Sequence, residues 1–193
     1  MLSNKLANYK ITLASASPRR QQLLRDLDID FTIQLKEVEE IYPDNLTSYQ
    51  ITDYLSKLKS VPFKENIGDN ELVITSDTIV WVNEEALGKP KTYEEAYIML
   101  TKLSNKTHEV ITSICITGKE YQKVVHDIVK VRFKKLDKEE IEYYINTYKP
   151  YDKAGAYGIQ EWIGKIGINK IEGSYFTVMG LPIHKLYKEL KNL

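Results

Sequence analysis

Hydroxyl and guanidinium side chains cluster directly after the first apolar segment of the chain. Residues 13–20 read LASASPRR, in which Ser15 and Ser17 precede the adjacent cations Arg19 and Arg20. Serine followed by proline is typical of a helix N-terminus, whose unpaired backbone N–H groups carry partial positive charge. Two guanidinium groups beside such a terminus match the geometry of a phosphate. The stretch is therefore either a capped helix with solvated arginines or an anion site.

An aspartate interrupts the apolar segment LVITSDTIVWV at residues 72–82. Aspartate is disfavoured in strands, and a buried carboxylate is costly unless it is paired or bound to a metal. Asp77 is therefore a candidate functional group. The alternative is that Ser76, Asp77 and Thr78 form a turn between two short strands, with Asp77 capping local N–H groups.

Acidic and basic side chains elsewhere could complete a site for a metal and an anion. Glu39 and Glu40 follow a short predicted strand, and a carboxylate pair there could bind Mg²⁺ together with phosphate oxygens. Lys59 lies on a predicted helix, and Lys89 lies in the turn-like sequence LGKP at residues 87–90. Acidic loops and surface lysines are usually only solvated, so these residues by themselves leave both interpretations open.

The segment DKAGAYGIQ at residues 152–160 combines small residues with a terminal amide. Its glycines allow the backbone to come close to a ligand. Gln160 offers a donor and an acceptor together, which is what reading the edge of a nucleobase requires. Glycine-containing turns are common, so the segment indicates a binding site only in combination with the other candidate residues.

The composition excludes several classes of protein. Lys and Arg balance Asp and Glu at 27 each, which argues against a protein that binds nucleic acid through bulk positive charge. The single cysteine, Cys115, cannot form an internal disulfide, and the three histidines lack the spacing of a zinc site. No apolar run approaches the roughly 20 residues of a membrane span, and no secretion signal is recognisable. We therefore expect a cytoplasmic protein without membrane or nucleic-acid partners.

Short apolar segments alternate with helical patterns, which predicts a single α/β domain over residues 1–193 with a sheet covered by helices. The predicted strands are 9–15, 30–35, 72–74, 79–82 and a hairpin of 109–117 and 123–133 joined by Gly118. The predicted helices are 18–28, 47–61, 92–103, 137–147 and 181–193. Residues 150–160 are predicted to form a loop, and residues 163–178 short strands. Thr92 and Asp137 are predicted N-caps, with a capping box formed by Glu95 in the first case.

Taken together, these stretches resemble the Maf family of nucleoside triphosphate pyrophosphatases. The resemblance extends from Leu13 to about Leu190 and rests on six segments in the order of the family. They are LASASPRRQQLL (13–24), SDTIV (76–80), GKP with EEAYIML (88–100), LSNKTHEVITSI (103–114), DKAGAYGIQ (152–160) and GSYFTVMGLP (173–182).

The resemblance implies a mixed twisted sheet with flanking helices, like that of inosine triphosphate pyrophosphatases (the Maf/Ham1 architecture). It also implies hydrolysis of a nucleoside triphosphate to the monophosphate and pyrophosphate with a divalent cation, Mg²⁺, Mn²⁺ or Co²⁺. Asp77 matches the position of the proton acceptor, and Glu40 matches an acidic position that would hold the metal with Asp77. Lys59 and Lys89 match lysines near the phosphates, where Ser15, Ser17, Arg19 and Arg20 would also bind. Members of the family often form homodimers.

The family divides by substrate, and three residues match the branch that acts on dTTP and UTP: Arg19, Thr78 and Gln160. The resemblance therefore implies a pyrimidine nucleotide substrate, including modified pyrimidine nucleotides. The alternatives are a 7-methyl-GTP-type or broad house-cleaning pyrophosphatase, or a non-catalytic nucleotide-binding regulator of cell division. One departure is LSN at residues 103–105, where the family usually has LSG. We expect Asn105 to adopt the left-handed conformation of that glycine with little effect.

Overall fold

A seven-stranded mixed sheet with helices around it organises residues 2–193, which the computed structural model describes. The strands are β1 (Lys10–Leu13), β2 (Thr32–Ile33), β3 (Glu71–Val82), β4 (Glu85–Leu87), β5 (Thr107–Thr117), β6 (Gln122–Phe133) and β7 (Ile168–Glu172). The helices are α1 (Leu2–Leu6), α2 (Pro18–Arg25), α3 (Tyr49–Leu58), α4 (Val61–Lys64), α5 (Tyr93–Leu103), α6 (Lys138–Tyr148), α7 (Trp162–Gly167), α8 (Tyr175–Val178) and α9 (Ile183–Lys191). Ala154–Ala156 forms a 3₁₀ turn.

The strand order of the sheet is β2-β1-β3-β5-β6-β7, with β4 paired to β3 outside that path. β1 runs parallel to both β2 and β3, with Thr12 opposite Thr32 and Val73. β4 is antiparallel to β3, and β7 is antiparallel to β6. The predicted α/β class, with a mixed sheet and flanking helices, is confirmed.

The chain divides into two compact units, each built from separate segments of the sequence. The first comprises the described residues up to Asp77 together with Thr112–Asp127 and Gly180–Leu193. The second comprises Thr78–Ile111 and Ile128–Met179. The long strands β3, β5 and β6 each pass from one unit into the other, so the division falls within strands and not at a linker.

Each unit buries its own apolar side chains, which is the main stabilising contribution to folding. In the first unit, completely buried residues come from β1, α2, β3 and β5: Leu13, Leu24, Ile74, Ile114 and Ile116. In the second unit, a cluster includes completely buried residues of α5, β6 and α6: Leu100, Leu103, Phe133, Tyr144 and Ile145. No helix of residues 2–193 has the length and apolar character of a membrane span.

The central strand β3 is continuous, so the proposed turn at Ser76, Asp77 and Thr78 is wrong. The strand pattern of residues 72–82 therefore extends through the aspartate, because Asp77 has a partner for its charge, described below. The prediction of short strands over residues 163–178 is confirmed only for β7, since α7 and α8 form helices on either side of it.

Local capping signals identify several helix starts correctly. The Ser17 hydroxyl accepts a hydrogen bond from the Arg20 amide at 3.5 Å, and Asp137 forms a capping box with Glu140. The Thr92 hydroxyl caps α5 as predicted, but the carboxylate of residue 95 accepts from the backbone N–H of Lys91 at 2.6 Å and not from Thr92. The box predicted there is therefore only half formed.

The departure from the family pattern at LSN is accommodated as expected. Asn105 has a φ of 57°, which lies in the left-handed region that glycine ordinarily occupies. Its backbone N–H donates to the carbonyl of Lys134 at 2.9 Å. The asparagine therefore preserves the turn between α5 and β5.

His108 lies in an aromatic cluster within the second unit. Its ring packs edge-on against Phe133 and Tyr157, at centroid distances of 5.2 and 5.5 Å. Nε2 shares a hydrogen bond of 2.8 Å with the Tyr157 hydroxyl, and Nδ1 is buried without a partner among the described residues. Burial lowers the pKa of His108 to about 4, so the ring is neutral at pH 7. This supports a structural role for His108.

This burial predicts that acid destabilises the protein through His108. Below pH 6.5 the unfolded chain protonates this imidazole, whereas the native state resists protonation until the pH reaches about 4. The free energy of unfolding should therefore fall as the pH is lowered through this window, by about 2 kcal/mol between pH 7 and pH 5. Urea unfolding at both values measures the change. His108→Gln should lose this part of the pH dependence, and an equal dependence in the variant would contradict the assignment.

Candidate functional site

Asp77 lies at the centre of a charged cluster in the first unit. Its side chain is almost fully buried, and Oδ1 accepts a hydrogen bond from Lys59 Nζ at 2.6 Å. The same ammonium group lies 2.9 Å from Oε2 of Glu40, which is half exposed. The other oxygen of Asp77, Oδ2, is buried and has no hydrogen-bond partner within residues 2–193. The cluster therefore presents one paired and one unpaired oxygen of a buried carboxylate.

The periodicities of β3 and α3 bring Asp77 and Lys59 together. Thr75 and Asp77 lie two residues apart and so share one face of the strand. Thr75 Oγ1 donates to the backbone carbonyl of Ser56 at 2.6 Å, which fixes the end of α3 against β3. Lys59 follows Ser56 by about one helical turn, and its ammonium consequently reaches the carboxylate two residues further along the strand.

Arg20 contacts the backbone of β3 next to Asp77. Its Nε donates to the carbonyl of Gly180 at 2.7 Å, and Nη1 donates to the carbonyl of Ser76 at 3.0 Å. The hydroxyl of Ser76 donates to the same Gly180 carbonyl at 3.2 Å. Burial lowers the pKa of Arg20, and the charge of Asp77 opposes this shift. Part of the Arg20 guanidinium therefore stabilises the backbone next to Asp77 through hydrogen bonds.

The serines of the LASASPRR stretch line the start of α2. Ser15 is buried, and its hydroxyl accepts from the backbone N–H of Ser17 at 3.3 Å. Ser17 in turn caps the helix, so the structure confirms the helix start that the sequence predicted. Both hydroxyl oxygens accept these hydrogen bonds, so each hydroxyl can still donate its own hydrogen atom to a ligand. Arg19 is half-buried on the first turn of the same helix.

The remaining predicted site residues lie in the second unit. Thr78 follows Asp77 on β3 and is half-buried, whereas Lys89 is exposed after β4. Gln160 ends the loop before α7, and its Oε1 is buried without a partner among the described residues. An unpaired buried acceptor is unfavourable by itself, which marks Gln160 as a candidate for contact with a ligand.

Sequence reasoning did not identify two groups that support these residues. The first is Gly180, whose carbonyl accepts from both Arg20 and Ser76, although the segment GSYFTVMGLP had been noted as a motif. The second is the set of side chains around the Gln160 loop, Tyr144, Lys153 and Glu161. Lys153 is 6% exposed, which is unusual for a lysine and could not be read from the sequence.

Glu40 and Asp77 fit the donor chemistry of a divalent cation. Mg²⁺ prefers oxygen ligands and is usually held by one or two carboxylates together with substrate phosphates. The carboxylates of Glu40 and Asp77 are of this kind, and both lie within 3 Å of the Lys59 ammonium. Within residues 2–193, no group of three or more His, Cys, Asp and Glu side chains is arranged to hold a metal ion.

Comparison with known proteins places this sequence among close relatives. The model of the family described as "Maf-like protein" matches residues 10–193. A protein of Flavobacterium psychrophilum named dTTP/UTP pyrophosphatase is 57% identical over 192 residues, which cover 100% of this chain and 98% of the relative. A protein of the same name from Flavobacterium johnsoniae is 55% identical, with 100% of both chains covered. A third, from Bacteroides fragilis, is 50% identical over 194 residues.

Among solved structures, the Ham1 protein of Staphylococcus aureus resembles this chain in part. The aligned region covers 64% of this chain and 71% of the Ham1 chain, with 20% sequence identity and a TM-score of 0.48.

Proposed function

Because the chain belongs to the Maf-like protein family, we propose that it hydrolyses dTTP and UTP to the corresponding monophosphate and pyrophosphate. The relatives with this name align over the full chain at 50–57% identity, which supports the same reaction here. The structural observation that carries the proposal is the buried Asp77, with one oxygen bound to Lys59 and the other without a partner among residues 2–193.

Asp77 is suited to accept a proton from the attacking water. A general base must be ionised and must present a free oxygen to the proton that it removes. The Lys59 ammonium, 2.6 Å from Oδ1, pairs with one oxygen of this carboxylate. Oδ2 supplies the free oxygen. The proton of the water therefore passes to Oδ2 as the water oxygen attacks the α-phosphorus and pyrophosphate leaves.

The phosphates need positive charge and donors around them, because hydrolysis of a phosphoanhydride depends mainly on positioning and charge neutralisation. Arg19, Lys89 and the hydroxyls of Ser15 and Ser17 are assigned to this task. Glu40 and Asp77 would hold a divalent cation, Mg²⁺, Mn²⁺ or Co²⁺, which when bound neutralises phosphate charge and orients the triphosphate. Arg20 contributes by holding the backbone of Ser76 in place.

The base would be read by Arg19, Thr78 and Gln160. Uracil and thymine present an N3–H donor between two carbonyl acceptors, and the glutamine amide is complementary to this edge because it carries one acceptor and one donor. The buried, unpaired Oε1 of Gln160 would accept from N3–H. Cytosine presents an acceptor at N3, so at that position it has no proton to donate to Oε1.

The proposal is tested by a screen of nucleoside triphosphates with Mg²⁺, Mn²⁺ and Co²⁺, with pyrophosphate as the readout. We expect UTP and dTTP to give UMP and dTMP with pyrophosphate, at a higher kcat/KM than 7-methyl-GTP. Release of UDP and phosphate would contradict the reaction, and a higher kcat/KM for 7-methyl-GTP would contradict the substrate. Tight nucleotide binding without turnover at any of the three metals would instead indicate a nucleotide-binding regulator.

A further inference from the structure

A buried ion pair closes the loop that carries Gln160. Lys153 lies near the start of the loop, and its ammonium is 2.6 Å from Asp152 and 3.1 Å from Oε1 of Glu161 at the loop's end. The Lys153 side chain is 7% exposed and that of Glu161 19% exposed. A lysine buried to this extent requires paired charges, so the ammonium draws both ends of the loop to one point.

A tyrosine of α6 contacts the same loop at two places. Tyr144 is completely buried, and its hydroxyl donates to Oε2 of Glu161. The same hydroxyl accepts from the backbone N–H of Gly158 at 3.0 Å. Burial raises the pKa of Tyr144, so the hydroxyl keeps the proton that it donates. One side chain thus fixes the residues on both sides of Ile159 and Gln160.

The loop backbone packs directly on this ion pair. A Cβ atom added at Gly158 would lie 2.9 Å from Cδ of Glu161 and 3.0 Å from Cε of Lys153. The absence of a side chain at this position lets the chain approach the two charged groups. The conformation of residues 158–161 therefore depends on the ion pair as well as on the Tyr144 hydroxyl.

We propose that Tyr144, Lys153 and Glu161, here called the loop clamp, are positioning residues that orient the Gln160 amide toward the pyrimidine base. Gln160 lies between two residues that the clamp holds, Gly158 and Glu161, and its buried Oε1 has no hydrogen-bond partner in the described part of the chain. A loop free to move would let this oxygen reach another donor or water, whereas a fixed backbone on both sides of Gln160 keeps it available for N3–H. The inference rests on the proposed function, since it assigns the clamp to base selection.

The test compares the binding of non-hydrolysable α,β-methylene UTP and CTP by calorimetry. Tyr144→Phe removes only the hydroxyl, and we expect the preference for the UTP analogue over the CTP analogue to fall about tenfold, a loss typical of one base-edge hydrogen-bond pair. Most of the change should lie in weaker binding of the UTP analogue. Tyr148→Phe is the matched control, because Tyr148 stacks on Tyr144 at 5.1 Å and no hydrogen bond of its hydroxyl is found within residues 2–193.

A double-mutant cycle separates positioning from a general loss of stability. In the Gln160→Ala background the preference should already be reduced, and adding Tyr144→Phe should change it no further. An unchanged preference in Tyr144→Phe would overturn the inference, as would an equal loss in both backgrounds. A wild-type protein without any preference would also overturn it. Failure of the proposed reaction would be seen separately, as the absence of pyrophosphate release.

Discussion

Asp77→Asn should reduce the hydrolysis of dTTP and UTP by about 10³-fold or more, since a positioned general base typically contributes about 10²–10⁴-fold. The amide cannot take the proton of the attacking water, and it also removes one of the two carboxylates assigned to the cation. The fold should survive, because asparagine has the size of aspartate and Lys59 keeps an ion pair with Glu40 at 2.9 Å. Steady-state kinetics with pyrophosphate detection and a thermal unfolding curve measure both expectations.

Asp53→Asn provides the matched control for this experiment. Asp53 is another partly buried carboxylate of the first unit, and it accepts from Ser113 Oγ at 2.6 Å and pairs with His126 at 3.1 Å. Its amide variant loses a charge of the same kind without touching the Asp77 cluster, so hydrolysis should remain near the wild-type rate. A comparable rate in Asp77→Asn and wild type would remove Asp77 from the mechanism. Equal losses in both variants would point to a general effect of charge.

Gly164→Ala should lower the free energy of unfolding by about 3 kcal/mol or more, at the upper end of the cost of overpacking. A Cβ atom at Gly164 would lie 1.9 Å from the carbonyl oxygen of Ile159 and 2.6 Å from its carbonyl carbon. Both atoms belong to the backbone, so the clash can be relieved only by moving α7 or the loop before it. In a chain of this length the loss corresponds to a decrease in Tm of about 6–12 °C.

Gly88→Ala is the appropriate comparison for Gly164→Ala. A Cβ atom at Gly88 would have no heavy atom within 4 Å, apart from its neighbours in the chain. The free energy of unfolding of Gly88→Ala should stay within about 0.5 kcal/mol of the wild-type value, as is usual for a surface substitution. Urea unfolding of the wild type, Gly164→Ala and Gly88→Ala measures the difference in their free energies of unfolding. If the two alanine variants were equally stable, the close approach of α7 to Ile159 would not be a constraint on the fold.

Short sequence patterns correctly predicted the elements whose formation depends on residues close together in the chain. The cap at Ser17, the capping box at Asp137 and the β5–β6 hairpin follow from short-range hydrogen bonding and β-propensity, and all three are present. Residues 163–178 were predicted only in part, because short apolar runs have no distinct period. There, packing against the rest of the second unit selects helix for α7, whose Ile163 is completely buried.

Asp77 is a residue whose role the local sequence left open and the tertiary structure decided. The residues alone allowed either a turn or a functional carboxylate, because both are consistent with an aspartate in an apolar segment. The structure excludes the turn, since β3 continues through Asp77 and Lys59 from a different element supplies the opposite charge. The two residues are 18 positions apart in the chain. Their pairing depends on the register of α3 against β3.

The sequence by itself determined the family, the α/β class and the candidate site residues, because these depend on residue types in a fixed order along the chain. The tertiary structure alone decided which of these residues have partners. It placed Lys59 between Asp77 and Glu40 and engaged Arg20 with two backbone carbonyls. Within residues 2–193, it left one oxygen each of Asp77 and Gln160 without a partner. The physical reason is that hydrogen bonds and burial depend on distances between segments far apart in the chain, which no local pattern encodes.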